Sequence, residues 1–347
     1  MQKVLIVGQT LELGRTEEVY GRGFTDIGCE VKYFTWKEAD PSLFSRSLPY
    51  KVAWRLAWQL LAKSANQKLM QVADNFQPDL ILVISPNLVD PKTIKYLQKH
   101  SLLFVFFTDN PLDKHHTHSN SWITQGLPLW DAVFIWSQQL VNELSQQGIK
   151  NVVFHPFCSD VEYHFPKRKP NPTYDVAFIG NWDDSRKREL YLKAIADYRL
   201  GIWGSDYWLT RCQEASLSRF VKGMCNYSEI PDILGSAKMG LNILRPQNEM
   251  GHNIRTFEIP ASGTMMLSER NQELLNLFTE DKEAVYFSNP DELNQKVTYL
   301  LQHDNLINSI AEAGYKKSMQ HTINQRISEI VSIVNFSKKE TLKSAKT

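Results

Sequence analysis

Continuous apolar runs recur along the chain, spaced so that a helix fits between each pair. KVLIVG (3–8), EVKYFTW (30–36), DLILVIS (79–85), LLFVFFTD (102–109) and DAVFIWS (131–137) are largely free of polar alternation, as expected of strands covered on both faces. Segments of helical length separate them, which predicts βαβ units and a parallel sheet. After NVVFHPF (151–157) the pattern lapses into HFPKRKPNPTY (164–174), with three prolines and no apolar periodicity, and this predicts a linker at 166–174. A second series then begins with DVAFIG (175–180) and continues through YRLGIWG (198–204), SRFVKG (218–223), MGLNIL (239–244), TMMLSE (264–269) and AVYFSN (284–289). The expected architecture is α/β, with one Rossmann-like domain over 1–165 and another over 175–320. A terminal helix at 321–336 and a polar, lysine-rich tail at 337–347 complete it.

Length agrees with two domains, since 347 residues exceed the roughly 250–300 at which a single core stops growing. A content of 42% hydrophobic and 22% charged residues is that of a globular protein, and a net charge of +1 gives no reason to expect nucleic acid as a partner. Cys29, Cys158, Cys212 and Cys225 form no C-x-x-C pair and read as reduced thiols. Met1 leads straight into a strand without the features of a secretory signal, and no apolar run nears the roughly 18–20 residues of a membrane span. A cytoplasmic protein is expected.

A Rossmann-like half raises a nicotinamide cofactor first, whose fingerprint is G-x-G-x-x-G after the first strand. The first strand here is followed by GQTLELG and the first strand of the second half by GNWDDSRKREL, and neither fits. No cofactor is expected. The second loop has its own interest. Gly180 ends a strand, and Arg186, Lys187 and Arg188 open a helix, where free N–H groups and the dipole favour an anion. Either a phosphate sits there or the run is a solvated face balanced by Asp183, Asp184 and Glu189.

The stretch NIRTFEIPASG (253–263) places Glu258 between Phe257 and Ile259 on a short helix at 255–262. That helix begins at the carboxyl side of the MGLNIL strand, where open α/β sheets bind ligands. Asn253 and Arg255 open it, Gly263 lets the chain turn into the next strand, and an acid near the first turn can accept hydrogen bonds from a sugar diol.

At these residues the chain resembles the CgeB-like (spore maturation protein B-like) glycosyltransferases of the two-Rossmann GT-B superfamily. The resemblance is carried by YDVAFIGNWDDSRKREL, LGIWG, SEIPDILGSAKMGLNILRP, GHNIRTFEIPASGTMMLSE and the segment from YFSNPDELNQ to NQRI. Upstream it is looser, through PDLILV, FFTDNP and DAVFIWSQQLVNELSQQGIKNVVFHPFCSD. It implies two domains facing across a cleft, a nucleotide-sugar donor held by the second and an unknown acceptor by the first, with no metal required. The helix acid of related enzymes contacts the ribose hydroxyls, and Glu258 matches it. The retaining members carry another acid eight positions earlier, where this chain has Met250 with Glu249 one residue off. Stereochemistry is therefore open.

Breaking a sugar–phosphate bond builds negative charge on the leaving diphosphate, and Arg186, Lys187 and Arg255 are candidates to meet it. An inverting route also needs a base at a strand end of the first half, and Asp109 is the best-placed carboxylate unless it is a turn residue before Pro111. His115, His116 and His118 form no convincing metal set and read as a polar loop. In the helix at 50–70, Trp54, Trp58, Leu61, Ala65 and Leu69 share one stripe and Lys51, Arg55 and Lys63 another. Such a helix either covers the sheet or makes a peripheral contact with the inner membrane face. In the resembled fold the terminal helix often crosses back to the first domain, so His321 and Arg326 can be structural. A nucleotide-sugar epimerase or a catalytically silent nucleotide-sugar binder would fit the same scaffold.

Overall fold

The computed structural model of the protein describes residues 1–44, 48–113 and 119–344, and the side chains of all of these except 48–57 and 338–344. Two compact units divide the chain: Met1–Pro156 together with the residues from Asn324 onward, and Phe157–Ile323.

In the first unit β1 (Lys3–Gly8), β2 (Glu30–Thr35), β3 (Leu80–Ile84), β4 (Leu102–Phe107), β5 (Ala132–Ile135) and β6 (Val152–Phe154) form one sheet in the order β2-β1-β3-β4-β5-β6. Every pairing is parallel. The middle strands are buried along their whole length, Leu80 through Ile84 being at most 1% exposed, because helices lie on both faces of the sheet. The helix Leu48–Phe76 is one of these. Ala62, Ala65, Asn66, Leu69, Ala73 and Phe76 form its buried stripe, at spacings of three and four, while Leu60 and Lys63 are exposed. The Asn66 amide donates to Ala62 O and Leu88 O and accepts from Asp90 N–H, tying the helix to the loop after β3. The described part of the 50–70 stretch thus covers the sheet. Lys51, Trp54 and Arg55 lie outside the described side chains, as do His115, His116 and His118.

The terminal helix Ile323–Ser344 packs with this unit from Asn324 on. Arg326 is buried, donates from Nε to Pro156 O at 2.8 Å and pairs with Glu329 at 2.8 Å. Glu329 stands 3.5 Å from His155 Nδ1, and His155 Nε2 meets the Tyr20 hydroxyl at 2.8 Å. Burial holds His155 below the usual imidazole range.

In the second unit β7 (Tyr174–Ile179), β8 (Leu200–Trp203), β9 (Val221–Gly223), β10 (Ala237–Asn242), β11 (Met265–Glu269) and β12 (Val285–Phe287) form a parallel sheet in the order β12-β11-β10-β7-β8-β9. Alternate residues feed opposite core layers, as the two-residue strand period requires. Val176, Phe178, Met239, Leu241 and Leu267 point to one layer, and Ala177, Ile179 and Met266 to the other with Phe257 and Ile259. Of SRFVKG, the first half ends a 3-10 helix, Ala215–Phe220, and only the rest is strand.

The proline-rich stretch at 166–174 runs along this second unit. Lys169 N–H donates to Gly235 O, Lys167 pairs with Asp232, and a Cβ on Gly235 would lie 2.2 Å from Lys167 O. The chain changes units at Pro156, ten residues before the linker read from composition, because prolines and charges that look like a free spacer serve as a strap when a glycine lets them approach.

Each sheet reverses its strand order once, between β1 and β3 in the first and between β7 and β10 in the second. Ligands of open α/β sheets bind in the crevice at the carboxyl ends of such neighbouring strands.

Candidate functional site

The loops leaving β7 and β10 flank the switch point of the second sheet. Gly180 follows β7, and its backbone is fully engaged: N–H donates to Trp203 O at 2.8 Å and O accepts from the Trp208 indole at 2.8 Å. A Cβ on Gly204 would lie 2.3 Å from Gly180 O, so glycine at 204 is what lets the loops after β7 and β8 touch.

The basic run Arg186–Lys187–Arg188, uniform on paper, divides into three different jobs. Arg188 is buried, donating to Asn181 O at 2.6 Å and to Ile243 O at 2.9 Å, with its guanidinium 5.4 Å from the Phe178 ring centroid. It fastens the two switch-point loops together. Lys187 bridges Glu249 and Glu269, each at 2.7 Å. Arg186 adopts φ +58° before the helix Lys187–Ala194 and reaches Glu189 at 3.4 Å. Glu189 is wholly buried and also accepts the Trp182 indole N–H at 2.6 Å.

Opposite them stands the helix Arg255–Ala261. Asn253 caps it: Oδ1 accepts from Thr256 N–H and hydroxyl, and Nδ2 donates to Asn242 Oδ1 at 2.9 Å. Asn242 continues this buried network to Ser268. Phe257 and Glu258 N–H both donate to Ile254 O. The Thr256, Phe257 and Glu258 amides are therefore occupied within the helix start, and the Asn253 side chain is a cap. Gly263, at φ +73° against Pro166, closes the other end of the helix near the start of β11, away from the carboxyl ends of the strands.

Arg255 donates to Ile179 O at 3.1 Å and pairs with Glu258. Glu258 is buried, and its second neighbour is His164 Nε2 at 3.5 Å. His164 Nδ1 accepts from Asp160 N–H, which puts the ring proton on Nε2, toward Glu258. Burial pulls His164 down to about 4, opposed by Asp160 and reinforced by Arg255.

Arg245, which the sequence reading passed over, is the key neighbour. Burial lowers Arg188 to about 10, and Arg245 and Arg255 push it the same way, while Asp183 and Glu269 oppose. Arg255 is itself lowered to about 10 by burial. Three guanidinium groups thus share the field of the switch point. Among the described residues the half-buried Arg245 side chain makes no hydrogen bond or ion pair. Glu269, at the end of β11, accepts Leu244 N–H at 2.6 Å, and burial raises its carboxyl. His252 is pinned between Glu273 on Nδ1 and Phe157 N–H on Nε2. Periodicity cannot flag Arg245 or Glu269, though both sit one to three residues beyond or at a strand's carboxyl end, the one signal available.

Asp109 belongs to the first unit, two residues past β4. It lines a cavity of about 390 Å³ together with Gln9, Trp36, Trp58, Ser85 and Asn87, among others, from the carboxyl ends of β1 to β4 and the Leu48–Phe76 helix.

Two doubly wound parallel six-stranded sheets in one chain are the architecture of GT-B glycosyltransferase structures, and this chain has that fold. Residues 186–332 match the family model described as glycosyl transferase-like. The structure of Anabaena HepE in complex with UDP-glucose is similar with a TM-score of 0.68 at 14% identity, over 96% of this chain and 100% of that one. Sucrose-phosphate synthase from Thermosynechococcus elongatus is similar at 0.72 and 11% identity, over 99% and 100%. A glycosyltransferase from Rickettsia africae is similar at 0.67 and 13% identity, over 96% and 97%. No curated protein matches the chain by sequence.

Proposed function

We propose that the protein is a glycosyltransferase, of the CgeB-like group, that moves a sugar from a nucleoside diphosphate sugar to an acceptor. The observation that carries this reading is the convergence of Arg188, Arg245 and Arg255 at the switch point of the second sheet, with Arg245 lacking any described partner. Cleavage of the sugar–phosphate bond leaves negative charge on the diphosphate, and positive charge fixed before the reaction stabilises it without reorganisation. Arg245 and Arg255 are proposed to touch the diphosphate. Lys187 joins them by exchanging a carboxylate partner for a phosphate oxygen, and Arg188 holds the loops in place. Glu258 is proposed to accept the ribose hydroxyls, and Asp109 to take the acceptor's proton. The acceptor is bound by the first unit, and no metal is given a role.

A silent nucleotide-sugar binder is the second reading. It is favoured by Met250 at the position of the earlier acid and by Glu249 being engaged with Lys187.

The test is a thermal-shift panel of UDP, GDP, dTDP, CMP and their sugars on the wild type and on Arg245→Gln. Uridine nucleotides head the panel because a structure of the same fold holds UDP-glucose. A ligand at a hundred times its Kd stabilises the fold by about 2.7 kcal/mol. One nucleotide class is expected to raise the melting temperature. Arg245→Gln should weaken that ligand about tenfold or more while leaving the unliganded protein unchanged, since charged hydrogen bonds contribute about 1.5–3 kcal/mol. A flat panel on folded protein overturns the reading. Binding without release of sugar or nucleotide, even with acceptors present, moves it to the silent binder, and turnover of the donor alone to the epimerase.

A further inference from the structure

The strap that follows Phe157 runs along the helix Arg255–Ala261. Pro166 packs on Gly263, where a Cβ would lie 2.9 Å from the proline Cβ, and His164 sits beside Glu258. Lys167 and Lys169, held by Asp232 and Gly235, fix the strap further along. The His164 ring is itself fixed. Its Nδ1 accepts from Asp160 N–H at 3.3 Å, and the Tyr227 ring meets it edge-on with centroids 4.8 Å apart. The Tyr227 hydroxyl in turn donates to Asp160 Oδ2 at 3.3 Å.

One polar atom of this cluster stands out. His164 is 1% exposed, yet its Nε2–H makes no hydrogen bond among the described residues. A buried donor left unmade is costly and calls for an explanation. The atom it faces is Glu258 Oε1 at 3.5 Å, just past hydrogen-bond length. Glu258 is meanwhile paired with Arg255 through its other oxygen. At 1% exposure Glu258 is out of reach of a ribose while Arg255 lies against it. The Arg255 side chain is 22% exposed, which a diphosphate can reach. The two residues proposed to touch the donor are thus paired with each other.

We propose that His164 is a positioning residue for the donor: as a diphosphate draws Arg255 away, the imidazole Nε2–H takes over the Glu258 carboxylate and holds it for the ribose. The inference rests on the donor reading given above and adds a residue to it. A diphosphate carries more charge than one carboxylate, which favours the move of Arg255. A buried carboxylate stripped of its counter-ion is costly, and His164 is the neighbour that offsets this.

The handover also bears on the proton of the ring. Among the described residues the titratable groups facing it are Asp160 from its own loop, Tyr227 from the loop after β9, and Arg255 and Glu258 from the helix. Burial keeps His164 neutral, with Arg255 acting in the same direction and Asp160 against it. Departure of Arg255 removes a repulsion and leaves a carboxylate in front of Nε2, and both changes favour the imidazolium. Donor binding should therefore take up a proton and tighten as the pH falls.

The experiment has a ligand-free arm and a nucleotide arm, both on the full chain. In the first, NMR of ring-labelled histidine follows the His164 titration in the wild type, in Arg255→Gln and in Arg255→Gln combined with Glu258→Gln. Arg255→Gln is expected to raise the midpoint, and the added Glu258→Gln to reverse most of that rise. In the second, calorimetry measures UDP-glucose and GDP-mannose, whose diphosphates do not titrate between pH 8 and pH 5, across that range. Wild-type affinity for the one that binds should rise toward pH 5, by at most about tenfold per pH unit for one proton. His164→Gln, which keeps a donor N–H but cannot ionise, should lose the slope. His164→Leu should in addition weaken binding at pH 7 by roughly threefold to tenfold. Parallel pH profiles in the wild type and His164→Gln overturn the inference, as does a His164 midpoint that Arg255→Gln leaves unchanged. No nucleotide binding by folded protein, with the midpoint raised as expected, sinks the donor reading and leaves the handover from Arg255 to His164 standing.

Discussion

Glu258 shows how much a single residue can and cannot tell. Its sequence position, an acid between Phe257 and Ile259, is anomalous in the hydrophobic pattern, and the anomaly is visible from the text alone. Its neighbours are not: Arg255 is three residues away, but His164 is far upstream and reaches it only in the folded unit. The cluster has a consequence for acid stability. His164 is neutral when folded because burial lowers it to about 4, while in the unfolded chain it protonates near 6.5. Its contribution is intact above pH 6.5 and is lost as the pH falls toward 4, a total of about 3 kcal/mol. Urea midpoints at pH 7 and pH 5 should therefore differ more for the wild type than for His164→Gln. Equal pH dependence in the two proteins would mean that His164 is not the group responsible. Arg245 makes the opposite point, since an arginine before a proline in ILRPQ looks like any surface residue until its neighbours Arg188 and Arg255 are in place.

At the scale of elements, the apolar runs each hold a strand, with bounds that agree or shift by up to a few residues, because a strand buried on both faces must be apolar throughout and that is a local property. Misreadings fell where local composition competes with packing. The stretch at 166–174 carries linker composition but is held by Gly235, and SRFVKG, read as one strand, begins as a 3-10 helix. The terminal helix depends on a long-range contact of the same kind. Arg326→Leu would leave Pro156 O and Glu329 without their buried donor and should cost about 2–3 kcal/mol. Hydrogen exchange on this variant should show the amides of 324–337 losing protection ahead of the sheet of the first unit. Uniform protection would mean that the helix is held by its apolar stripe alone.

At the scale of the molecule, two units of similar size each carry a sheet with its own switch point, and the candidate chemistry is divided between them. The guanidinium cluster lies in the second and the aromatic cavity in the first. A nucleoside diphosphate added to the protein should accordingly raise hydrogen-exchange protection around 179–188 and 242–258 in the second unit. Protection by nucleotide confined to the first unit would reverse the assignment of donor and acceptor.

What the sequence determined by itself was whatever depends on neighbours along the chain. That covers the two series of buried strands, the helices between them, the absence of a dinucleotide fingerprint, and an acid in a covered helix. What only the tertiary structure decided was which charges meet. Lys187 acquired two carboxylates, Arg188 two carbonyls, and Arg245 none among the described residues, although all three are basic residues beside strand ends. The physical reason is that hydrophobic burial follows from each residue's own side chain at a fixed period, whereas a hydrogen bond or a charge field depends on a partner that the fold brings from a distant part of the chain.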